Sequence, residues 1–299
     1  MNPIKLLTAL SIPFLMFSCS NGNREYDATG SFEATEIIVS SQANGRILLL
    51  NVAEGEQLQA GQKVGQIDST QLYLQKMSLL SSAEGVKAQK PDINKQTAAI
   101  HEQIRTQERE KARVKSLLAS NAANQKQLDD IESQIEVLQK QLLALTSTLE
   151  KSTKNISAQS TTLEIQVAQL NDQLEKTQII SPISGTVLNR YAEAGELATM
   201  GTPLFKIADT DTLYLRAYVT NDQLAQIKLN DEVSVRVDDG RGSMKPYKGQ
   251  ISWISDKSEF TPKTIQTKNE RANLVYALKI AVSNDGYLKI GMYGEVKFK

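Results

Sequence analysis

The sequence has one cysteine and one histidine in 299 residues. That excludes zinc sites of the Cys/His type, a CxxC redox pair and any disulfide framework. Histidine chemistry would fall to His101 alone. Charge of one sign is also lacking: 34 basic residues balance 34 acidic ones. No net field draws the chain toward nucleic acid, so nucleic acid is not expected among its partners. Aromatic residues make up 5% of the chain, few for a ligand pocket but compatible with long polar helices. No GxSxG, HExxH, Walker-type loop or GxGxxG stands in a suitable setting. Glutamate pairs such as Glu108 and Glu110 read as ordinary helix surface. The expectation is a protein that is not an enzyme, with no catalytic residue, metal or cofactor.

What is present begins at the N-terminus. Met1 to Lys5 carries one positive charge, and residues 6–17 form an apolar run that ends at Ser18-Cys19. A bilayer-spanning helix needs roughly twenty residues, so this run has the length of a signal-peptide core, and residues 1–18 read as a signal. No later run is long enough to span. A small residue before a cysteine at this place resembles the lipobox of bacterial lipoproteins, which implies lipidation of Cys19. Residues 19–35 then read as a lipid-anchored tether, with 20–30 flexible, while residues 31–40 offer a strand that the C-terminal barrel can recruit.

Two segments match at a constant offset of 140 residues: Gly45/Gly185, Ile47/Val187, Gly55/Gly195, Glu56/Glu196, Gly61/Gly201, Val64/Leu204 and Ile67/Ile207. Each copy alternates short β-prone runs with glycine turns, where the six glycines supply backbone angles other residues avoid. One copy is too small to bury a core. Two copies packed about a pseudo-twofold axis can bury their apolar faces against each other. Residues 36–68 and 178–210 are therefore expected to form one small sandwich.

Residues 69–177 must leave that sandwich and return to it, which two antiparallel helices accomplish most simply. The stretch contains only Gly85 and Pro91 as breakers and Tyr73 as an aromatic. Leu128, Ile131, Ile135, Leu138, Leu142, Leu145 and Leu149 alternate spacings of three and four, a coiled-coil seam. Leu163, Val167, Leu170 and Leu174 resume it; Ile93, Ile100, Ile104, Val114 and Leu118 supply the outgoing register. Some fifty residues per arm correspond to about 70 Å of straight helix. Asp68-Ser69 is the expected cap at the start, and Asn124 with Gln127 a capping box after the tip. Paired breaks are expected at residues 90–92 and 151–157, because one holds proline and the other is rich in Ser, Thr and Asn.

In the C-terminal third, residues 212–219, 231–237, 247–254, 275–282 and 293–299 read as alternating strands separated by turns, with 222–227 a short helix. Residues 211–299 are expected to form a small β-barrel. The fold class is α+β, elongated: a split lipoyl-like sandwich, a long helical hairpin and a C-terminal barrel.

This order of parts resembles the HlyD-type periplasmic adaptors, or membrane fusion proteins. The resemblance is carried by "VAEGEQLQAGQKV", "SPISGTVLNRYAEAGELATMGTPLF" and "LYLRAYV", and "FTPKTIQTKNERANLVYALKI" is similar to the branch that serves ABC-type exporters. It implies a periplasmic, membrane-anchored subunit that self-associates into a hexameric ring between an inner-membrane transporter and a TolC-like outer-membrane channel. In the family, the hairpin tip meets the channel through Arg, three residues, Leu, six residues and Ser. Here Arg113 and Leu117 occupy the first two places and Asn124 the third. Enzymes with lipoyl folds present a lysine on the hairpin that the helical insertion replaces here, so a swinging-arm carrier does not fit. The alternative is a coiled-coil envelope lipoprotein that serves as a spacer without transport.

Overall fold

A computed structural model describes residues 26–260 and 274–298. Cys19 and the expected signal lie outside the described residues, as does most of the block that resembles the ABC branch. The chain divides into two compact units, one of residues 37–207 and one of the residues before and after them.

In the first unit, strands β2 (Gly45–Leu50), β3 (Gln57–Leu58) and β4 (Lys63–Ile67) form one copy of the repeat. Strands β5 (Gln178–Ile180), β6 (Gly185–Arg190), β7 (Leu197–Ala198) and the start of β8 (Pro203–Val219) come from the second. The sheets exchange strands. One has the order β5-β4-β2-β7; its counterpart at the 140-residue offset runs from the end of β1 (Ala28–Ser40) through β8 and β6 to β3. Between them lie Ile47, Ile67, Val187, Leu204, Phe205 and Ile207, each at most 1% exposed. Neither copy holds these residues alone. Burial of large aliphatic side chains stabilises by roughly 1.5–3 kcal/mol each, so the two copies stand or fall together.

The hairpin consists of α1 (Thr70–Ala88), α2 (Ile93–Ala119) and α3 (Gln125–Lys176). Asp68, rather than Ser69, satisfies the start of α1: its Oδ1 accepts from the Thr70 amide and hydroxyl at 3.0 and 2.8 Å. Those bonds hold the Asp68 carboxyl below its ordinary pKa, the Thr70 amide contributing most. The outgoing arm breaks around Pro91. Asp92 then caps α2 by accepting from the Lys95 amide.

The returning arm does not break. Helix α3 runs for 52 residues through the stretch 151–157, where a second interruption was expected. Its polar side chains turn back on the helix itself: Thr153 and Thr161 donate to the carbonyls of Leu149 and Ser157, four residues earlier. A hydroxyl bonded in this way does not compete with the helix for its backbone amides. The seam also persists, because Ile156 is half-buried and Ser160 is buried between Leu149 and Val167. From Leu149 the seam continues through the half-buried or buried positions Thr153, Ile156, Ser160 and Leu163. This is a four-residue stutter in the heptad rather than a break.

In the second unit, β1, β12 (Tyr293–Lys297), β9 (Glu232–Asp238), β10 (Met244–Phe260), β11 (Leu274–Ser283) and β8 are neighbours in that order, and β1 also pairs with β8. The sheet thus closes as a barrel around Phe32, Leu215, Val235, Ile251, Leu278, Ile280 and Val296. Helix α4 (Asn221–Leu224) is shorter than the expected 222–227. Part of the stretch expected to be tether is strand: β1 starts at Ala28 and pairs Ala28–Ser31 with Val296–Tyr293. Gly30 is there because a Cβ would fall 2.0 Å from the Arg216 carbonyl oxygen.

Candidate functional site

The chain offers two built features, the reciprocal lock of the repeat and the tip of the hairpin. In the lock, the turn bonds come in pairs related by the 140-residue offset. Gly55 donates its amide to Val187 at 2.8 Å, and Gly195 to Ile47 at 2.7 Å; Val187 donates to Glu56, and Ile47 to Glu196. Gly61 donates to Ser181 and Gly201 to Ser41, both at 2.8 Å. The side chains follow suit, with Ser184 Oγ accepting from Ala60 and Asn44 Oδ1 from Met200. Each turn is therefore closed by the other copy, which is why the halves fold as one body despite the insertion between them.

Four of the six glycines named from sequence lie at these turns with positive φ: Gly55 at 86°, Gly61 at 80°, Gly195 at 98° and Gly201 at 89°. Gly45, with a φ of 156°, and Gly185 lie outside these turns. They begin strands β2 and β6, opposite Ala198 and Leu58 in the exchanged ladders. At Gly45 a Cβ would also approach Ile67 Cγ2 to 2.9 Å. The sequence reading missed Ser41 and Ser181 as a matched pair. Both are buried, and their hydroxyls donate to the carbonyls of Ala43 and Ile183. Extending the same offset four residues toward the N-terminus would have found them.

The tip lies where α2 ends and α3 begins. Asn121 takes a φ of 55°, and the Leu117 carbonyl accepts from the amides of Ser120 and Ala122, ending α2. Asn124 Oδ1 accepts from the Gln127 amide at 3.0 Å while Gln127 Oε1 accepts from the Asn124 amide at 3.4 Å, a capping box that starts α3. Arg113 and Leu117 are one turn apart near the end of α2, and Asn124 stands across the turn. Leu117 is 38% exposed, although residues of its type usually face the seam. Arg113 is exposed and paired with Glu110 of its own helix, its Nε donating to Oε2 at 2.9 Å. The hydrogen bond from Arg113 lowers the Glu110 pKa. The tip therefore presents a cation, an apolar side chain and an amide, with its backbone already satisfied by local caps.

The two helices are aligned by seam packing and by ion pairs between the arms, Lys111 to Glu132 at 2.9 Å and Lys87 to Glu164 at 2.6 Å. Thr97, which the sequence pattern passed over, is 3% exposed in the seam and donates to the Ile93 carbonyl. Among the described residues, no helix is long and apolar enough to cross a membrane.

Against known proteins, the chain is 40% identical over 131 residues to a UPF0194 membrane protein of Yersinia pseudotuberculosis, a match covering 44% of this chain and 39% of that protein. The chain thus spans about two fifths of the relatives it matches at this identity. A second relative, UPF0194 membrane protein YE2891 of Yersinia enterocolitica, is 28% identical over 330 aligned positions, covering 100% of this chain and 99% of the other. Among solved structures, MacA from Actinobacillus actinomycetemcomitans shares the fold with a TM-score of 0.53 at 20% identity, over 90% of this chain and 76% of that one. The membrane fusion protein Spr0693 from Streptococcus pneumoniae does so with a TM-score of 0.51 at 18% identity, over 91% and 97%. The family model described as the barrel-sandwich hybrid domain of RND membrane fusion proteins matches residues 35–210, more than half of the chain, which therefore belongs to the membrane fusion protein family.

Proposed function

We propose that this protein is the periplasmic adaptor of a trans-envelope efflux or secretion system, joining an inner-membrane transporter to a TolC-like outer-membrane channel. The observation that carries the reading is the reciprocal lock. It ties residues 37–68 to residues 178–207 as one body and leaves the hairpin as an arm whose tip is capped from within. A spacer lipoprotein would need the arm but not the exchanged sandwich. Copies associate side by side into a ring, a hexamer by analogy, and the arms gather toward the channel. The subunit does no chemistry itself. Its contribution is binding free energy between neighbours and to the two membrane partners.

The finer assignments belong to the same proposal. Cys19 carries the lipid that holds the chain at the membrane. Arg113, Leu117 and Asn124 meet the channel, with Leu117 as the apolar contact and Arg113 as the hydrogen-bond donor. The pump is of the ABC type, on the resemblance of residues 260–280 to that branch. Deleting residues 105–135 is expected to abolish channel association in a pull-down while circular dichroism still reports the β-domains. Transport retained after that deletion would remove the tip from the reading. Stimulation of a co-purified ATPase by the intact adaptor would test the pump class.

A further inference from the structure

The outer face of the barrel carries two lysines that form no ion pair among the described residues. The register pairs Lys297 of β12 with Ser234 of β9, and Ser234 with Lys248 of β10. All three are exposed on one face. Adjacent strands lie about 4.8 Å apart, so the two lysine backbones stand about 10 Å apart with the serine hydroxyl between them. In the next row Arg236 is matched by Glu295 at 3.4 Å. Neither Lys248 nor Lys297 makes an ion pair with a described residue. Beside them runs a groove of about 630 Å³, lined by Val233, Pro246, Tyr247 and Phe298 as well as the lysines. Glu232, also on its rim, has an interaction of its own.

The chain's entry into the barrel lies at the same place. Asp27 donates its amide to the Val296 carbonyl at 2.8 Å, and its carboxylate accepts from the Phe298 amide at 2.8 Å. Asp27 is thereby fixed against the two residues that flank Lys297. From Cys19 to Tyr26 an extended chain reaches at most about 25 Å. A lipid on Cys19 keeps this end of the barrel within that distance of the bilayer surface.

We propose that the groove beside Lys248 and Lys297 docks the headgroup of an anionic phospholipid from the membrane that holds the anchor. The two ammonium groups and the Ser234 hydroxyl would take the phosphodiester, and Pro246, which is exposed on the same face, the glycerol carbons. The proposal rests on the anchor reading of Cys19. It adds a second, electrostatic contact that orients the barrel, since a single lipid anchor does not fix orientation.

The test uses the full chain purified from membranes and reconstituted in nanodiscs. One set holds phosphatidylcholine alone; the other includes phosphatidylglycerol at about 30 mol%, enough to give the disc a negative surface. Amine acylation is read by mass spectrometry. In the anionic discs, labelling of Lys248 and Lys297 is expected to fall about threefold and to recover at roughly 0.5 M salt, while Lys95 and Lys140 on the hairpin are unchanged. The double variant Lys248→Gln, Lys297→Gln is expected to raise hydrogen exchange of residues 244–250 in anionic discs to its value in neutral ones. Equal labelling in both discs overturns the proposal. So does protection produced by inorganic phosphate in neutral discs, or protection that grows with protein concentration there, which would mark a site for free anion or a second copy. Intact mass separates the two readings: an unmodified Cys19 sinks both, whereas an acylated chain with unprotected lysines sinks only the groove.

Discussion

Gly55 donates its backbone amide to the carbonyl of Val187 at 2.8 Å, across an insertion that holds the whole hairpin. The equivalent bond from Gly195 to Ile47 closes the other turn, so each copy of the repeat completes its partner. Folding of the two copies as one body depends on this lock.

Its turns give a first prediction. At Gly55 and Gly195 an added Cβ meets nothing within 4 Å, so alanine is opposed only by the backbone, at φ of 86° and 98°. Gly55→Ala and Gly195→Ala are each expected to destabilise the sandwich by about 1–2 kcal/mol. Gly85→Ala, inside α1 with equally open surroundings, should instead stabilise its helix by about 0.5–1 kcal/mol. Hydrogen exchange of the two segments distinguishes the signs.

The seam of α3 gives a second. Leu138 is 6% exposed and Leu143, five residues on, is 71% exposed. Leu138→Ala should cost about 2–5 kcal/mol, as large-to-small changes in packed cores do. Leu143→Ala should stay within about 0.5 kcal/mol. Urea titration followed by far-ultraviolet circular dichroism would show it, and similar losses at both sites would contradict the pairing of the arms.

Asn124 can be tested apart from its helix. Asn124→Ala removes the cap acceptor and should destabilise the start of α3 by about 1 kcal/mol, seen as faster exchange at residues 124–128. Asn124→Ser keeps a capping oxygen and restores the serine of the family's tip pattern. It is expected to retain slow exchange and to bind a TolC-like channel at least as well as the parent. Channel binding left unchanged in Asn124→Ala would reduce Asn124 to a cap.

The barrel carries an acid-sensitive contact. The hydrogen bond from Lys245, followed by the Tyr287 amide, lowers the Asp285 pKa from 3.8 to about 2. The same Lys245 sits 5.2 and 5.1 Å from the ring centres of Tyr247 and Tyr287. A carboxyl depressed in the folded state contributes stability that is present above its unfolded value and is lost as the pH falls through its folded value. Asp285→Asn should therefore lower barrel stability at neutral pH. The difference from the parent should shrink between pH 3.8 and about 2. Denaturant midpoints across that range provide the check, and a constant difference would exclude the pairing as its cause.

Patterns that repeat in one dimension were legible before any coordinates. The 140-residue offset and the alternation of three and four along Leu128 to Leu149 each report a periodic constraint, so a sandwich built from two distant pieces and the coiled coil could be read directly. Asn124 with Gln127 was legible for a related reason, since a capping box is a local pairing of residue types. The expected break at residues 151–157 failed because serine and threonine have two uses in a helix. Their hydroxyls compete with the backbone when free but fold onto a carbonyl one turn back when the seam holds the helix, as Thr153 does on Leu149.

By itself the sequence determined what is periodic or local: which residues repeat, where the Leu128 to Leu149 seam runs and the capping box after the tip. The tertiary structure alone decided which backbone groups meet across the insertion, that Gly45 and Gly185 start strands instead of turning the chain, and that Thr97 and Ser160 are buried. It also brought Lys248, Ser234 and Lys297 into one row. The reason is physical: hydrogen bonds and burial between distant segments depend on register and packing in three dimensions, and a short polar residue shows no sign in sequence of which face it will occupy.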